Sequence, residues 1–332
     1  MILSFSNPNP LPRRFRETEL IVSQAAKPAI AVTAPTPERG LGAVTWGIAR
    51  SLRPAEWIKN LLVFAALVFS GKFFERPALW MSLEAFAALC LAASAGYLLN
   101  DVKDRQADRY HPTKCNRPIA SGQVPPALAL VVGLVLGLVA VAIGFVVNRT
   151  AGLGIVAYLL LTAGYTMILK KIVIVDVLTL AIVFVLRVIV GAEAVSVKFS
   201  TWLVLCTFLL ALFLGFGKRR HELELLEDNA HPHRPVLAEY SSHFLDMMMA
   251  VVTASTVMSY ILYTIAPETV AHFQTTNLIY TTVFVLYGVF RYLFLIHLRS
   301  FGGNPAQVLL RDRPLQIAVV LWIISIFLLR YF

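Results

Sequence analysis

The residues best placed to do chemistry lie between positions 100 and 117. Asn100, Asp104 and Asp108 recur every four residues, so on a helix of 3.6 residues per turn they line one face. Asp101 sits beside them, three residues before Asp104. Carboxylates this close repel unless a cation or a basic ligand lies among them. Hard oxygen ligands in such an array suit Mg²⁺, which keeps some of its waters and shares its sphere with substrate phosphates. Arg109, His111, Lys114 and Arg117 follow directly, with the charge that would hold those phosphates. The plainer alternative is a solvated loop of mixed charge between two spans. The spacing, and the position at the mouth of an apolar run ending at Leu99, favour a site.

Further constellations carry polar groups into an otherwise apolar chain. Arg53 to Asn60 opens an apolar stretch, with Pro54 suited to a first helical turn. Trp57 and Lys59 read either as interface anchors or, with Asn60, as groups facing a cavity. Tyr165, Lys170 and Asp176 fall around a short turn, and Asp176, Thr179, Val183 and Arg187 then share one helix face. Arg187 lies roughly 16 Å deeper than Asp176 at 1.5 Å per residue. An ionisable group at that depth usually faces a cavity. Its alternative is an internal pair with a carboxylate such as Glu193, although six residues do not bring two side chains over one another on a helix. Gly215 to Glu222 combines glycines, which admit close backbone approach, with Lys218 and Arg219 as phosphate contacts. Glu222 is an acceptor for substrate hydroxyls or a metal. The rest of that loop, including Glu224, Glu227, Asp228, His231 and His233, reads as solvated. Before the last apolar run, Arg311 and Arg313 are placed near lipid headgroups, and Asp312 reads as a helix cap ahead of Pro314.

The elements that must position these groups are membrane spans. The chain is 58% hydrophobic and 14% charged, where a soluble protein carries about a quarter charged residues. Its net charge of +10 points to anionic substrates or lipids and a basic cytoplasmic face, not to nucleic acid. The expected fold class is an all-α polytopic bundle of nine spans, roughly 55–73, 79–99, 124–147, 150–169, 173–195, 200–217, 243–266, 274–298 and 313–331. Lys and Arg crowd the N-terminal arm and the loops after the second, fourth, sixth and eighth spans. The positive-inside rule then places the N-terminus in the cytoplasm and the C-terminus outside the cell (inner) membrane. Residues 1–45 read as a disordered cytoplasmic arm and 46–332 as the catalytic bundle. Cys90, Cys115 and Cys206 lack ligand-like spacing, so no disulfide framework or zinc site is expected.

The motifs themselves carry a family resemblance. NDVKDRQAD, from Asn100 to Asp108, fits the NDxxDxxxD pattern of the UbiA superfamily of intramembrane prenyltransferases. HPTKCNRPIASG, RPAEWIKN and GFGKRRHE resemble its polyprenyl-phosphate phosphoribosyltransferase branch, although Glu56 stands where the branch has Gln. The superfamily's second DxxxD motif is incomplete, because Leu180 occupies the position four after Asp176. The resemblance implies transfer of 5-phosphoribose from phosphoribosyl diphosphate to a polyprenyl phosphate, with release of diphosphate. It implies Mg²⁺ on Asn100, Asp104 and Asp108, with Asp101 beside them. Lys59, Asn60, Lys114, Arg117, Tyr165, Lys170, Arg187, Lys218, Arg219 and Glu222 would bind substrate. Asp104, Asp108 and Asp176 would be catalytic. A true prenyltransferase acting on an aromatic acceptor and a transporter of anionic lipids are the alternatives, and a homo-oligomer is left open. Asp104→Ala is expected to abolish turnover while the protein stays folded in detergent; retained activity in a transfer assay would remove the metal reading.

Overall fold

The computed structural model describes residues 40–111, 113–197, 201–227, 235–299 and 305–331. Residues 1–39 of the expected arm lie outside the described residues, as do Asp228, His231 and His233 of the loop read as solvated, whereas residues 41–45, expected to be disordered, begin a helix, Leu41–Ser51. The second part of the chain, from Glu38 to Phe332, forms one compact unit. Every regular element described in it is helical.

Among the described residues, eight helices are long and apolar enough to cross a membrane. They are α3 (Arg76–Lys103), α5 (Pro126–Val147), α6 (Arg149–Met167), α7 (Val175–Ala194), α8 (Thr201–Glu227), α9 (Ser242–Ile265), α11 (Thr282–Arg299) and α13 (Arg313–Tyr331). Shorter helices are α1 (Leu41–Ser51), α2 (Phe64–Phe69), α4 (Arg105–Arg109), α10 (Pro267–Phe273) and α12 (Pro305–Arg311). The ninth expected span, 55–73, is built differently. It is a 3₁₀ segment over Pro54–Val63 followed by α2. At about 2.0 Å per residue the 3₁₀ coil covers more length than an α-helix of equal residue count.

That tighter coil matches its neighbour. Trp57 Nε1 donates to Ser94 Oγ at 3.1 Å, and Asn60 Nδ2 donates to Cys90 Sγ at 3.3 Å. Three residues of 3₁₀ helix and four of α-helix both rise about 6 Å. Positions 57 and 60 therefore meet 94 and 90 in step along α3. The far side of the segment presses on α7. A Cβ built at Gly191 would lie 2.1 Å from the Val63 carbonyl oxygen, so only glycine lets the two backbones approach. Small residues do the same work on α3, where Ala85, Ala88, Ala92 and Ser94 are buried and allow close helix contact without a hydrophobic driving force.

Two cores share α7. Its Val183 and Val190 pack with Val63, Leu89, Ala140 and Ile155. Its Val177 and Ala181 pack with Phe213, Phe216, Leu245, Met249 and Ile296. The polar motifs gather where α3, α6 and α8 end and α7 begins. At the opposite end the first and last spanning elements are clasped together. The Phe73 amide donates to Tyr331 Oη at 3.1 Å, Arg330 donates to the Ser70 carbonyl at 3.2 Å, and Lys72 to the Val195 carbonyl at 3.2 Å. Gly191→Ala is expected to destabilise the bundle by about 1–3 kcal/mol through overpacking. The check is a lowered thermal unfolding midpoint in detergent, and an unchanged midpoint would contradict the close contact.

Candidate active site

The motif that opens the site divides between two cations. Asn100 and Asp104 lie on the last turns of α3, and both face Lys170, which sits on a 3₁₀ turn, Leu169–Lys171, between α6 and α7. Lys170 Nζ lies 2.6 and 2.8 Å from the two Asp104 carboxylate oxygens and 3.2 Å from Asn100 Oδ1. Asp101 and Asp108 turn instead to Arg117. Its Nη1 lies 3.1 Å from Asp101 Oδ1 and 2.6 Å from Asp108 Oδ2. Asp101 is 2% exposed and also pairs with Arg53, whose guanidinium stacks over the Tyr97 ring at 4.9 Å. Arg53 reaches this place with a left-handed φ of 53°, uncommon for a residue with a Cβ. Burial pushes the Asp108 carboxyl up, and nearby Arg117 and Lys114 pull it down without cancelling the effect.

The four residues expected to share one cation therefore form two pairs, not one cage. Among the described residues no three His, Cys, Asp or Glu side chains converge as a metal site. Helical periodicity puts Asn100, Asp104 and Asp108 on one face only if the helix continues. It does not: α3 ends at Lys103, and Asp104 has φ −89° and ψ 3° before α4 begins. The interruption is one residue long, since the Asp104 amide still bonds the Asn100 carbonyl at 2.9 Å and the Asp108 amide the Asp104 carbonyl at 2.8 Å; Asp101 and Asp108, seven residues apart, share Arg117. Asn100 and Asp104 remain a fit for Mg²⁺, which takes one or two carboxylates and completes its sphere with water and phosphate.

The second cluster surrounds Asp176, which is 0% exposed at the start of α7. Its Oδ2 accepts from Arg219 Nε at 2.6 Å and its Oδ1 from Tyr240 Oη at 2.8 Å. Tyr240 Oη accepts in turn from the Ile174 amide at 2.7 Å, and Ile174 holds a φ of 67°, a costly conformation for a β-branched residue. Arg219, 1% exposed, also reaches Glu222 at 2.6 Å and Tyr165 Oη at 3.2 Å. Lys218 is more open and lies 3.9 Å from Glu222.

The third cluster is deep. Arg187 donates to Asn60 Oδ1 at 2.8 Å, to the Val183 carbonyl at 3.0 Å and to Tyr158 Oη at 3.0 Å. Its guanidinium lies against the Phe184 ring at 4.8 Å and the Tyr158 ring at 5.1 Å. Glu193, weighed as its partner, is not among these groups. Lys59 pairs with Glu56 one 3₁₀ turn earlier, in the eclipsed i,i+3 relation that coil creates. Asp312 caps α13 as expected, accepting from the Leu315 amide at 2.9 Å, and it also pairs with Arg291 at 2.8 Å.

Sequence reasoning did not single out Tyr240, Tyr158 or the pairing of Arg53 with Asp101. A tyrosine has no spacing rule to betray it. Arg53 stood inside the RPAEWIKN motif but its partner is on another helix.

A model of the UbiA prenyltransferase family matches residues 61–309. The chain is 32% identical over 285 residues to a decaprenyl-phosphate phosphoribosyltransferase of Mycobacterium tuberculosis (strain ATCC 25618 / H37Rv), covering 84% of this chain and 93% of that protein. It is 32% identical over 297 residues to a protein of the same name from Corynebacterium glutamicum, covering 86% and 87%. Among solved structures, a UbiA homolog from Archaeoglobus fulgidus bound to GPP and Mg²⁺ superposes with a TM-score of 0.66 over 86% of this chain and 100% of that one, at 18% identity. That likeness concerns the fold.

Arg117→Ala is expected to cost ~3–5 kcal/mol, because it leaves two partly or wholly buried carboxylates without their shared cation. Arg117→Lys is expected to recover only part of this, since an ammonium lacks the fork that bridges two acids. Thermal unfolding of both variants in detergent is the measurement; wild-type stability in Arg117→Ala would refute the pairing.

Proposed function

The chain belongs to the UbiA prenyltransferase family, and on that premise we propose that it transfers 5-phosphoribose from phosphoribosyl diphosphate to a polyprenyl phosphate. The observation that carries this reading is the single open acidic set. Asn100 and Asp104 hold the Lys170 ammonium at the charged end of the bundle. Asp176, where a second acidic motif would begin, is closed off by Arg219 and Tyr240, and Leu180 follows in place of a further carboxylate. The 32% identity to phosphoribosyltransferases over most of the chain supports the same donor.

The chemistry follows from charge. Breaking the anomeric C–O bond builds positive charge on the sugar and negative charge on the departing diphosphate. Mg²⁺, held by Asn100 and Asp104, would supply a Lewis acid for that negative charge. Lys170 beside this pair, with Lys114 near Asp108 and Lys218 near Glu222, adds ammonium groups that favour the phosphates. The acceptor phosphate is already an anion, so no strong general base is needed. Arg117 and Arg53 hold Asp101 and Asp108, and through them the end of α3. Asp176 positions Arg219, which also bonds Tyr165 and Glu222. Arg187 braces Asn60, and so the first segment, against α6 and α7. The acceptor is a lipid and enters laterally between spans; the donor is soluble and enters from the charged face, which the lysine and arginine distribution makes cytoplasmic.

A paired assay tests the proposal. Membranes are incubated with Mg²⁺, labelled phosphoribosyl diphosphate and a polyprenyl phosphate, in parallel with a prenyl diphosphate and 4-hydroxybenzoate. Label is expected in a lipid product from the first pair only. Product from the second pair alone would make the protein a prenyltransferase and refute the ribosyl reading.

A further inference from the structure

Lys170 Nζ lies where the oxygens of Asn100 and Asp104 converge, 2.6 and 2.8 Å from the carboxylate and 3.2 Å from the amide. These are the two side chains that fit a divalent cation at the charged mouth. An ammonium and a metal cannot occupy the same focus of oxygens, since the metal needs them at about 2.0–2.1 Å. The two cations must exchange. We propose that Lys170 is the resident counter-ion of this locus and yields it when Mg²⁺ arrives together with the donor's diphosphate, an inference that rests on the diphosphate-donor reading above.

Three features make Lys170 suited to yielding. It is a point charge on a flexible four-carbon stem, unlike the forked Arg117 that bridges Asp101 and Asp108. Its backbone lies on the turn between α6 and α7, so the ammonium can swing without moving a helix. Asp104 is more exposed than Asp101, at 28% against 2% of the side chain, which leaves room for the incoming ion. The diphosphate provides fresh anions for the displaced ammonium. Metal alone must evict Lys170 without that compensation, whereas metal with diphosphate satisfies both cations. Metal and diphosphate therefore bind synergistically, and Lys170 is the positioning residue that couples them.

The test is equilibrium dialysis of the purified full chain in detergent at fixed free Mn²⁺, with and without inorganic pyrophosphate, for wild type, Lys170→Gln and Lys170→Met. Wild type is expected to take up Mn²⁺ weakly alone and about tenfold more tightly with pyrophosphate. Either neutral variant that retains a cooperative thermal transition is expected to bind Mn²⁺ alone about tenfold more tightly than wild type, with little further gain from pyrophosphate. Wild-type affinity for Mn²⁺ alone in the variants would overturn the exchange while leaving the metal reading standing. So would wild-type binding indifferent to pyrophosphate, a result that does not depend on either variant folding. No Mn²⁺ uptake by any protein, with or without pyrophosphate, would overturn both.

Discussion

Opposite charges meeting across different helices hold this structure's polar end together. Asp101 is reached by Arg53 and Arg117, Asp104 by Lys170, and Asp176 by Arg219. Three of these pairs join segments more than 40 residues apart, and the fourth ties the loop at Arg117 to the end of α3. A carboxylate at the edge of a bilayer cannot be left alone, because an unpaired buried charge costs several kcal/mol. The pairs leave the carboxylates at this end of the bundle neutralised by cations of the chain itself.

The wall behind the mouth is α7. It belongs to both apolar cores and carries Asp176 at one end and Arg187 in its middle. Its glycine at 191 admits the backbone of the first 3₁₀ segment, and Arg187 then fixes that segment by bonding Asn60. Arg187 is buried among neutral acceptors and aromatic faces instead of a carboxylate. A guanidinium tolerates such a setting better than an ammonium does, being planar, weakly hydrated and able to stack.

Much of this was legible beforehand where periodicity or composition decides. Eight of the spans follow from unbroken apolar length, and Pro54, Asp312 and Pro314 mark element starts. The first span misled because 55–73 is apolar enough to read as a helix, while nothing in its composition distinguishes 3₁₀ from α. The register with Ser94 and Cys90 selects the tighter coil, and that register exists only once α3 is beside it. The acidic motif misled for a related reason. A constant step of four says which side chains share a face, not which cation each meets: Lys170 takes Asn100 and Asp104, and Arg117 takes Asp101 and Asp108.

The amino-acid sequence by itself determined that this is a membrane-spanning helical bundle, that its carboxylates and basic groups cluster near one end, and which superfamily motifs it bears. Those properties depend on residue type and on spacing within one segment. Tertiary structure decided who neutralises whom: Asp104 with Lys170, Asp101 and Asp108 with Arg117, Asp176 with Arg219 and Tyr240, Asn60 with Arg187. Coulomb attraction and hydrogen bonding act over a few ångströms of space, and residues separated by 9 to 127 positions come within that range only after the chain has folded.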